Sequence, residues 1–264
     1  MEEIVLVYWM LTAAVVTGTR ITYRMLSSET VLRTGDELII FDTGFGDTGE
    51  LERELRRFSL DPRDFTYVFN THIHVDHFGG NVIFENARKV MSRREYLFQK
   101  RWNEEFSSTE NKQNFIRRHY PTLTDEEVCK ITDTVSSVQA KYFKDRFFGS
   151  EDSFLFVEDN PPLPDCIEII ETPGHTPHHL SFRIRGVEQA AVIAGDLIPS
   201  KRSFFDGKFN FIEVYTDRGQ AKRSLERLQL IIREQREVII HPSHDRPFSV
   251  CEKRYVSANP YEIC

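Results

Sequence analysis

The 264-residue chain has only four cysteines, Cys129, Cys166, Cys251 and Cys264, far apart and without CxxC spacing. That excludes a disulfide framework and a thiolate metal knuckle, and it suits a reducing compartment. Basic residues are also short: 34 Lys and Arg face 41 Asp and Glu, a formal net charge of −7. No global electrostatic attraction to polyanions follows, so nucleic acid is not an expected partner. Basic pairs such as Arg93-Arg94 and Arg117-Arg118 read as solvated helix faces. A membrane-length apolar run is missing too. Ile4 to Val16 is largely apolar, but a span takes roughly 20 such residues. Two glutamates precede it where an export signal carries positive charge. It reads as a first buried strand, in a cytoplasmic protein with no membrane association.

What is present is an ordinary globular balance, 40% apolar and 28% charged, arranged as a layered α/β pattern. "RITYRML" and "ETVLRT" alternate as half-buried strands, and "GDELIIFDTG" reads as turn, buried strand and loop. Leu51, Leu55 and Phe58 keep helical spacing over residues 48 to 58, and "LDPRD" stops the helix. "FTYVFNTH" is a short strand. Residues 93 to about 149 differ, being strongly charged, nearly free of Gly and Pro, and helical in pattern. Thr124 and Glu127 form a capping box there. Strands return with "SFLFVE", "CIEIIET", "HLSFRIR" and "QAAVIAGD". A helix at about 217 to 236, with Leu225, Leu228 and Ile232 on one face, then leads to the strand "EVIIH". The expectation is one α/β domain over residues 1–264 with a helical insertion at about 93–149.

"THIHVDHFGG", residues 71 to 80, crowds His72, His74, Asp76 and His77 into six positions at a strand end. In α/β proteins such ends carry chemistry. A polar turn with incidental histidines is the bland alternative. Imidazole and carboxylate at this density suit Zn²⁺ and other borderline divalent ions. Four ligands exceed what one tetrahedral ion needs beside a water, which points to two adjacent ions with further ligands from elsewhere. Loops after later strands supply them: His175 in "ETPGHTP", Asp196 in "VIAGDLIP", and a histidine of "HPSHD", either His241 or His244. An aspartate can span two cations with its two oxygens, so Asp196 would be shared. His72, His74 and His175 would complete one site, and Asp76, His77 and the late histidine the other.

This ordered series resembles the metallo-β-lactamase superfamily, which implies an αββα four-layer sandwich. The resemblance favours His244 over His241 as the last ligand. "IIFDTG" is similar to an early strand-loop motif of that family, which implies that Asp42 orients a ligand histidine from behind. His178 and His179 stand where relatives often have Gly-His, and read as strand-start or supporting groups. His119 reads as a surface residue.

Two cations about 3.5–4 Å apart can share a hydroxide and polarise a carbonyl or phosphoryl oxygen, so the expected reaction is metal-assisted hydrolysis. Asp76 would hold metal and accept a hydrogen bond from that hydroxide. The resemblance lies nearest the N-acyl homoserine lactonase and glyoxalase II-like group. It implies a small-molecule lactone, ester or similar acyl substrate and two divalent ions, Zn²⁺ first, with Fe or Mn as alternatives. A homodimer is compatible with this. The lactonases often carry a tyrosine shortly after the shared aspartate, and "GDLIPS" has none. Ten aromatic residues between 93 and 149 would partly form the insertion's own core and partly roof an acyl pocket. The rival readings are a glyoxalase II-like thioesterase, a phosphodiesterase, and a mononuclear iron oxygenase such as a persulfide dioxygenase.

Overall fold

The computed structural model describes residues 4–17, 22–46, 48–143, 147–185, 190–206, 215–235, 237–251 and 254–255. Cys264 and the flanking residues Arg20, Ile21, Gln189 and Arg236 of the expected elements lie outside them.

The first half builds one six-stranded sheet, in chain order. Strands β1 (Ile4–Thr17) and β2 (Thr22–Thr34) form a long antiparallel hairpin, and β3 (Glu37–Phe41) pairs antiparallel with β2. Helix α1 (Glu50–Arg57) crosses to β4 (Tyr67–Phe69), and the short helix α2 (Val75–Phe78) leads to β5 (Arg88–Met91). Three helices follow, α3 (Arg93–Ser108), α4 (Lys112–His119) and α5 (Asp125–Tyr142), before β6 (Phe154–Phe156) closes the sheet. From β3 to β6 the pairing is parallel.

The second six-stranded sheet opens with β7 (Ile167–Glu171), β8 (Leu180–Ile184) and β9 (Ala190–Gly195), paired antiparallel. Helices α6 (Lys201–Asp206) and α7 (Arg218–Arg233) precede β10 (Glu237–Pro242), which is parallel to β9. Strands β11 (Phe248–Cys251) and β12 (Arg254–Tyr255) complete the edge.

Strand alternation sorts the side chains into layers. Ile39 and Phe41 of β3 face inward with Phe69, Phe182 and Ile193, while Leu38 and Ile40 point outward against Leu51 and Leu55 of α1. Likewise Ala191 and Ile193 of β9 face the other sheet, and Val192 and Ala194 pack on Leu225, Leu228 and Ile232 of α7. The result is helix, sheet, sheet, helix. Phe182 bridges the sheets, its ring 5.4 Å from both Phe41 and Phe69. Each such buried ring contributes about 1.5–3 kcal/mol.

Several elements differ from the sequence reading. Over the described residues, the strand expectations at 20–26 and 29–34 merge into one continuous β2, Thr22–Thr34. Its central Ser27 and Ser28 are not a break. Ser27 donates to the Asp76 carbonyl and Ser28 to that of Pro242, while the Ser28 amide donates to the Ser243 carbonyl at 2.8 Å. Polar residues there dock the metal loop and the second sheet. Strand β5 hides behind Arg88 and Lys89, and β11 and α6 are too short to show periodicity. Phe58 caps α1 rather than continuing its face. The capping box of Thr124 and Glu127 opens α5 with both reciprocal bonds. The three helices between β5 and β6 have a core of their own around Trp102, Phe106, Phe115 and Ile131. Among the described residues no helix is long and apolar enough to cross a membrane.

Candidate metal centre

The chain leaves β4 at Phe69 and runs through Asn70, Thr71, His72 and His74 into α2, which carries Asp76 and His77. The turn is braced from beneath. Asn70 donates to the His77 carbonyl at 3.1 Å and exchanges amide bonds with Asn81, whose oxygen also takes the Thr43 hydroxyl at 2.8 Å. Loops after β7, β9 and β10 bring His175, Asp196 and His244 to the same end of the sandwich. His175 follows Gly174, whose φ is 141°. A Cβ there would lie 2.2 Å from the Ala221 nitrogen of α7, so only glycine lets the loop seat against that helix.

All seven expected ligands converge in two groups, His72 with His74, His175 and Asp196, and Asp76 with His77 and His244. Within each group the candidate ligand atoms lie within 4.8 Å of one another. Asp196 faces both. Its Oδ2 is 3.0 Å from His175 Nε2 and 3.9 Å from His72 Nε2. Its Oδ1 is 3.2 Å from His77 Nε2 and 3.1 Å from His244 Nε2. Asp76 Oδ2 lies 3.5 Å from His77 Nε2 and 3.8 Å from His244 Nε2. His74 Nδ1 and His175 Nε2 stand 2.9 Å apart.

This donor set fits divalent cations. His72 Nε2, His77 Nε2, Asp76 Oδ2 and Asp196 Oδ1 are buried and make no hydrogen bond, a costly state unless a cation satisfies them. Burial, reinforced by neighbouring histidines, keeps His72 and His74 well below the usual imidazole range, so they present neutral nitrogens. Burial opposes charge on Asp196 too, but His77, His175 and His244 outweigh it and hold the carboxylate ionised.

With the geometry in place, comparison with known proteins is decisive at the family level. The family model of the metallo-beta-lactamase superfamily matches residues 24–244. The chain belongs to that superfamily. It is 20% identical over 191 residues to an N-acyl homoserine lactonase of a Bacillus species, a match covering 72% of this chain and 60% of the relative. The chain thus spans about three-fifths of the length of such curated relatives. Among solved structures it resembles AidC, a dizinc quorum-quenching lactonase in complex with a product, at 22% identity and a TM-score of 0.57 over 83% of this chain and 73% of that one. It also resembles a probable metal-dependent hydrolase from Staphylococcus aureus, at 16% identity and a TM-score of 0.64 over 100% and 99% of the two chains.

Around this superfamily site the supporting residues are well placed. Asp42, at a left-handed φ of 54°, accepts from Thr71 N and Thr71 Oγ1 at 2.8 Å each. Its Oδ2 lies 2.8 Å from His77 Nδ1, which turns His77 Nε2 toward the ligand group. His244 Nδ1 is similarly tied to the Leu26 carbonyl. His241 is elsewhere: its Nδ1 pairs with Thr30 Oγ1 at 2.9 Å, and burial pushes its pKa down to about 3. His119 is half-buried on the Phe115 ring, 4.1 Å away, because α4 turns it onto the insertion's own core.

Two residues near the centre, Tyr215 and Glu95, escaped the sequence reading, while His179 stands in the supporting place expected of it. Tyr215 donates to the Asp196 carbonyl at 3.2 Å, and its ring lies 5.3 Å from His175. "GDLIPS" holds no tyrosine, and the Tyr215 hydroxyl serves the Asp196 backbone. His179 accepts the Asp196 amide at 3.1 Å. Glu95, buried on α3, accepts weakly from the Ile73 amide at 3.4 Å and from Gln99 at 3.2 Å. Burial raises its pKa against the pull of these hydrogen bonds, and the carboxyl ties the insertion to the ligand loop. No short-range pattern distinguishes Tyr215 and Glu95 from other polar residues.

A cavity of about 190 Å³ opens onto the centre. His74, Asp76, His175, Asp196 and His244 form its floor. Gln99, Trp102 and Asn103 of α3, Tyr120, and Ile131, Val135 and Val138 of α5 form its walls and roof. The helical stretch therefore covers the cleft, with a mostly apolar lining that Gln99 and Asn103 interrupt. Phe106 and Phe115 belong to its core instead.

Proposed function

We propose that this chain is a metal-dependent hydrolase that holds two divalent ions and cleaves an uncharged acyl substrate, a lactone or an ester. The observation that carries this is Asp196, whose two oxygens address two separate ligand groups on the floor of a largely apolar cavity. The naming of relatives as lactonases supports the substrate class. Zn²⁺ is the first choice of ion for these nitrogen and oxygen donors, with Fe or Mn as alternatives. Two such ions supply a nucleophile from water at neutral pH and a Lewis acid for a carbonyl oxygen.

The chain's own residues do the rest. His72, His74 and His175 would hold one ion and Asp76, His77 and His244 the other, with Asp196 available to both. Asp76 would also be placed to accept a hydrogen bond from water, and Asp42 fixes the ring of His77. Ile131, Val135 and Val138 exclude bulk water from the cavity and pack against an acyl chain. Such walls favour acyl groups over polyanions, as does the net charge of −7. Cys129 and Cys166 form no disulfide, which suits a reducing compartment such as the cytoplasm.

The test is a substrate panel on protein reconstituted with Zn²⁺, Mn²⁺ or Fe²⁺, containing acyl-homoserine lactones, aryl esters, S-lactoylglutathione and a bis-aryl phosphodiester. Lactones or esters should be turned over fastest. A phosphodiester preferred by orders of magnitude would overturn the acyl reading, and preference for S-lactoylglutathione would replace it with a thioesterase. Oxygen uptake with one bound iron would replace hydrolysis with oxygenation.

A further inference from the structure

We propose that His179 is a positioning residue for Asp196, acting through the Asp196 backbone amide and locked in place by a one-way hydrogen-bond relay through Thr172 and Ser181. The inference rests on the reading of Asp196 as the ligand shared by two ions.

The direction of every proton in the relay is determined. The Asp196 amide can only donate, so His179 Nε2, 3.1 Å away, is the acceptor. The His179 proton is therefore on Nδ1, which lies 2.8 Å from Thr172 Oγ1. At the far end the Ala194 carbonyl can only accept, so Ser181 Oγ donates to it at 2.9 Å. Ser181 must then accept from Thr172 across 2.9 Å. Thr172 accepts once and donates once, and no member is left unpaired. Thr172, His179 and Ser181 are all fully buried, so water does not compete for these bonds.

Both ends of the relay land on one turn. Ala194 and Asp196 flank Gly195, which has a φ of 54°. A Cβ on Gly195 would lie 2.5 Å from His179 Nε2, so glycine here lets the ring reach the amide as well as permitting the φ. The relay therefore grips the chain on either side of the residue that aims the Asp196 carboxylate. The same segment is joined to the first ligand loop, because the Leu180 amide donates to the Thr71 carbonyl at 2.9 Å. Support of this kind, one bond removed from a ligand, commonly controls metal affinity by 10–100-fold.

The experiment uses the full chain and Co²⁺ as probe, read by chelator competition and by the visible absorption of the bound ion. Melting of the metal-free protein is followed alongside. His179→Leu should weaken Co²⁺ binding about 10–100-fold at both groups, because Asp196 faces both, and should shift the absorption bands. Thr172→Val, which removes the hydroxyl but keeps the shape, should weaken it about tenfold, and Thr172→Ser should restore it. Folded His179→Leu and Thr172→Val proteins that bind Co²⁺ with wild-type affinity and spectrum would overturn the proposal, whatever their melting temperatures. Loss at one group alone would overturn it as well. If His179→Leu does not fold, Thr172→Val and its serine rescue decide. A wild-type chain that binds no Co²⁺ would instead remove the metal-dependent reading itself.

Discussion

The two ligand groups share one aspartate yet differ in charge and in support. In the first, His72 and His74 are pushed below the usual imidazole range by burial and by neighbouring histidines. In the second, burial acts the same way on His77 and His244 but is overcome by Asp196 and Asp76, which raise both, His244 to about 9. Rings in the second group are also propped from behind, His77 by Asp42 and His244 by the Leu26 carbonyl. In the first group His72 and His74 present neutral nitrogens to a cation. In the second, the raised pKa values of His77 and His244 set proton release against cation binding.

The largest effect that would break this comparison is the removal of what the groups share. Asp196→Ala should abolish tight binding of both ions and lower turnover by roughly 10³-fold or more. Elemental analysis of the reconstituted variant that still finds near two ions per chain would contradict the shared role.

Removing one member should instead separate the groups. His77→Ala should weaken one ion by more than the 10–100-fold typical of losing an outer partner, leaving about one ion bound. In the unmodified chain, calorimetry should show one ion whose affinity falls as pH drops below about 9, because His77 and His244 then hold protons, and another much less sensitive. Equal pH dependence for the two ions would erase the distinction.

A buried acid sharpens the contrast from the second group's side. Glu29 takes the Thr12 hydroxyl at 2.8 Å and feels the charges of His77 and Asp42, and burial raises its pKa from 4.5 to about 8. A carboxyl raised on folding stabilises the fold fully below its unfolded pKa, and that contribution is lost as pH rises toward the folded value. Glu29→Gln keeps the acceptor for Thr12 without the titration. Its stability relative to the metal-free parent should therefore increase by about 1.4 kcal/mol per pH unit between roughly pH 4.5 and 8. Denaturant titrations giving a pH-independent difference would show that Glu29 is charged in the fold.

The smallest expected effect is at Asp42. Asp42→Asn keeps an acceptor for the Thr71 amide but loses the charge behind His77, and should weaken only the second group's ion, by about 10–100-fold. A uniform loss at both groups, seen by stepwise chelator removal, would make Asp42 a general scaffold residue.

How much of this was legible in the sequence follows the range of the interactions. Four of the seven candidate ligands lie within six residues, so the pattern His-x-His-x-Asp-His exposed them directly. The strands of the core could be read because each alternates against a buried face, as Ile39 and Phe41 do against Leu38 and Ile40. The capping box of Thr124 and Glu127 is local and was equally visible. Strand β2 was misread at Ser27 and Ser28, because their partners, Asp76, Pro242 and Ser243, are remote in the chain. The choice between His241 and His244 was open on spacing alone. The structure separates them by giving His241 to Thr30 and bringing His244 to Asp76.

The layered α/β architecture and a candidate ligand set for the centre could be read from the chain alone, because periodicity and ligand density are properties of neighbouring residues. A shared Asp196, a supporting His179 and a roof from the insertion were all expected from the chain. The folded molecule added that Tyr215 and Glu95 stand beside the centre, and that Ile131, Val135 and Val138 line the roof. These depend on contacts between residues tens to hundreds of positions apart, such as Ser28 with Pro242 or His74 with His175. Such contacts leave no period or spacing in the chain and arise only when the two sheets close on their shared core.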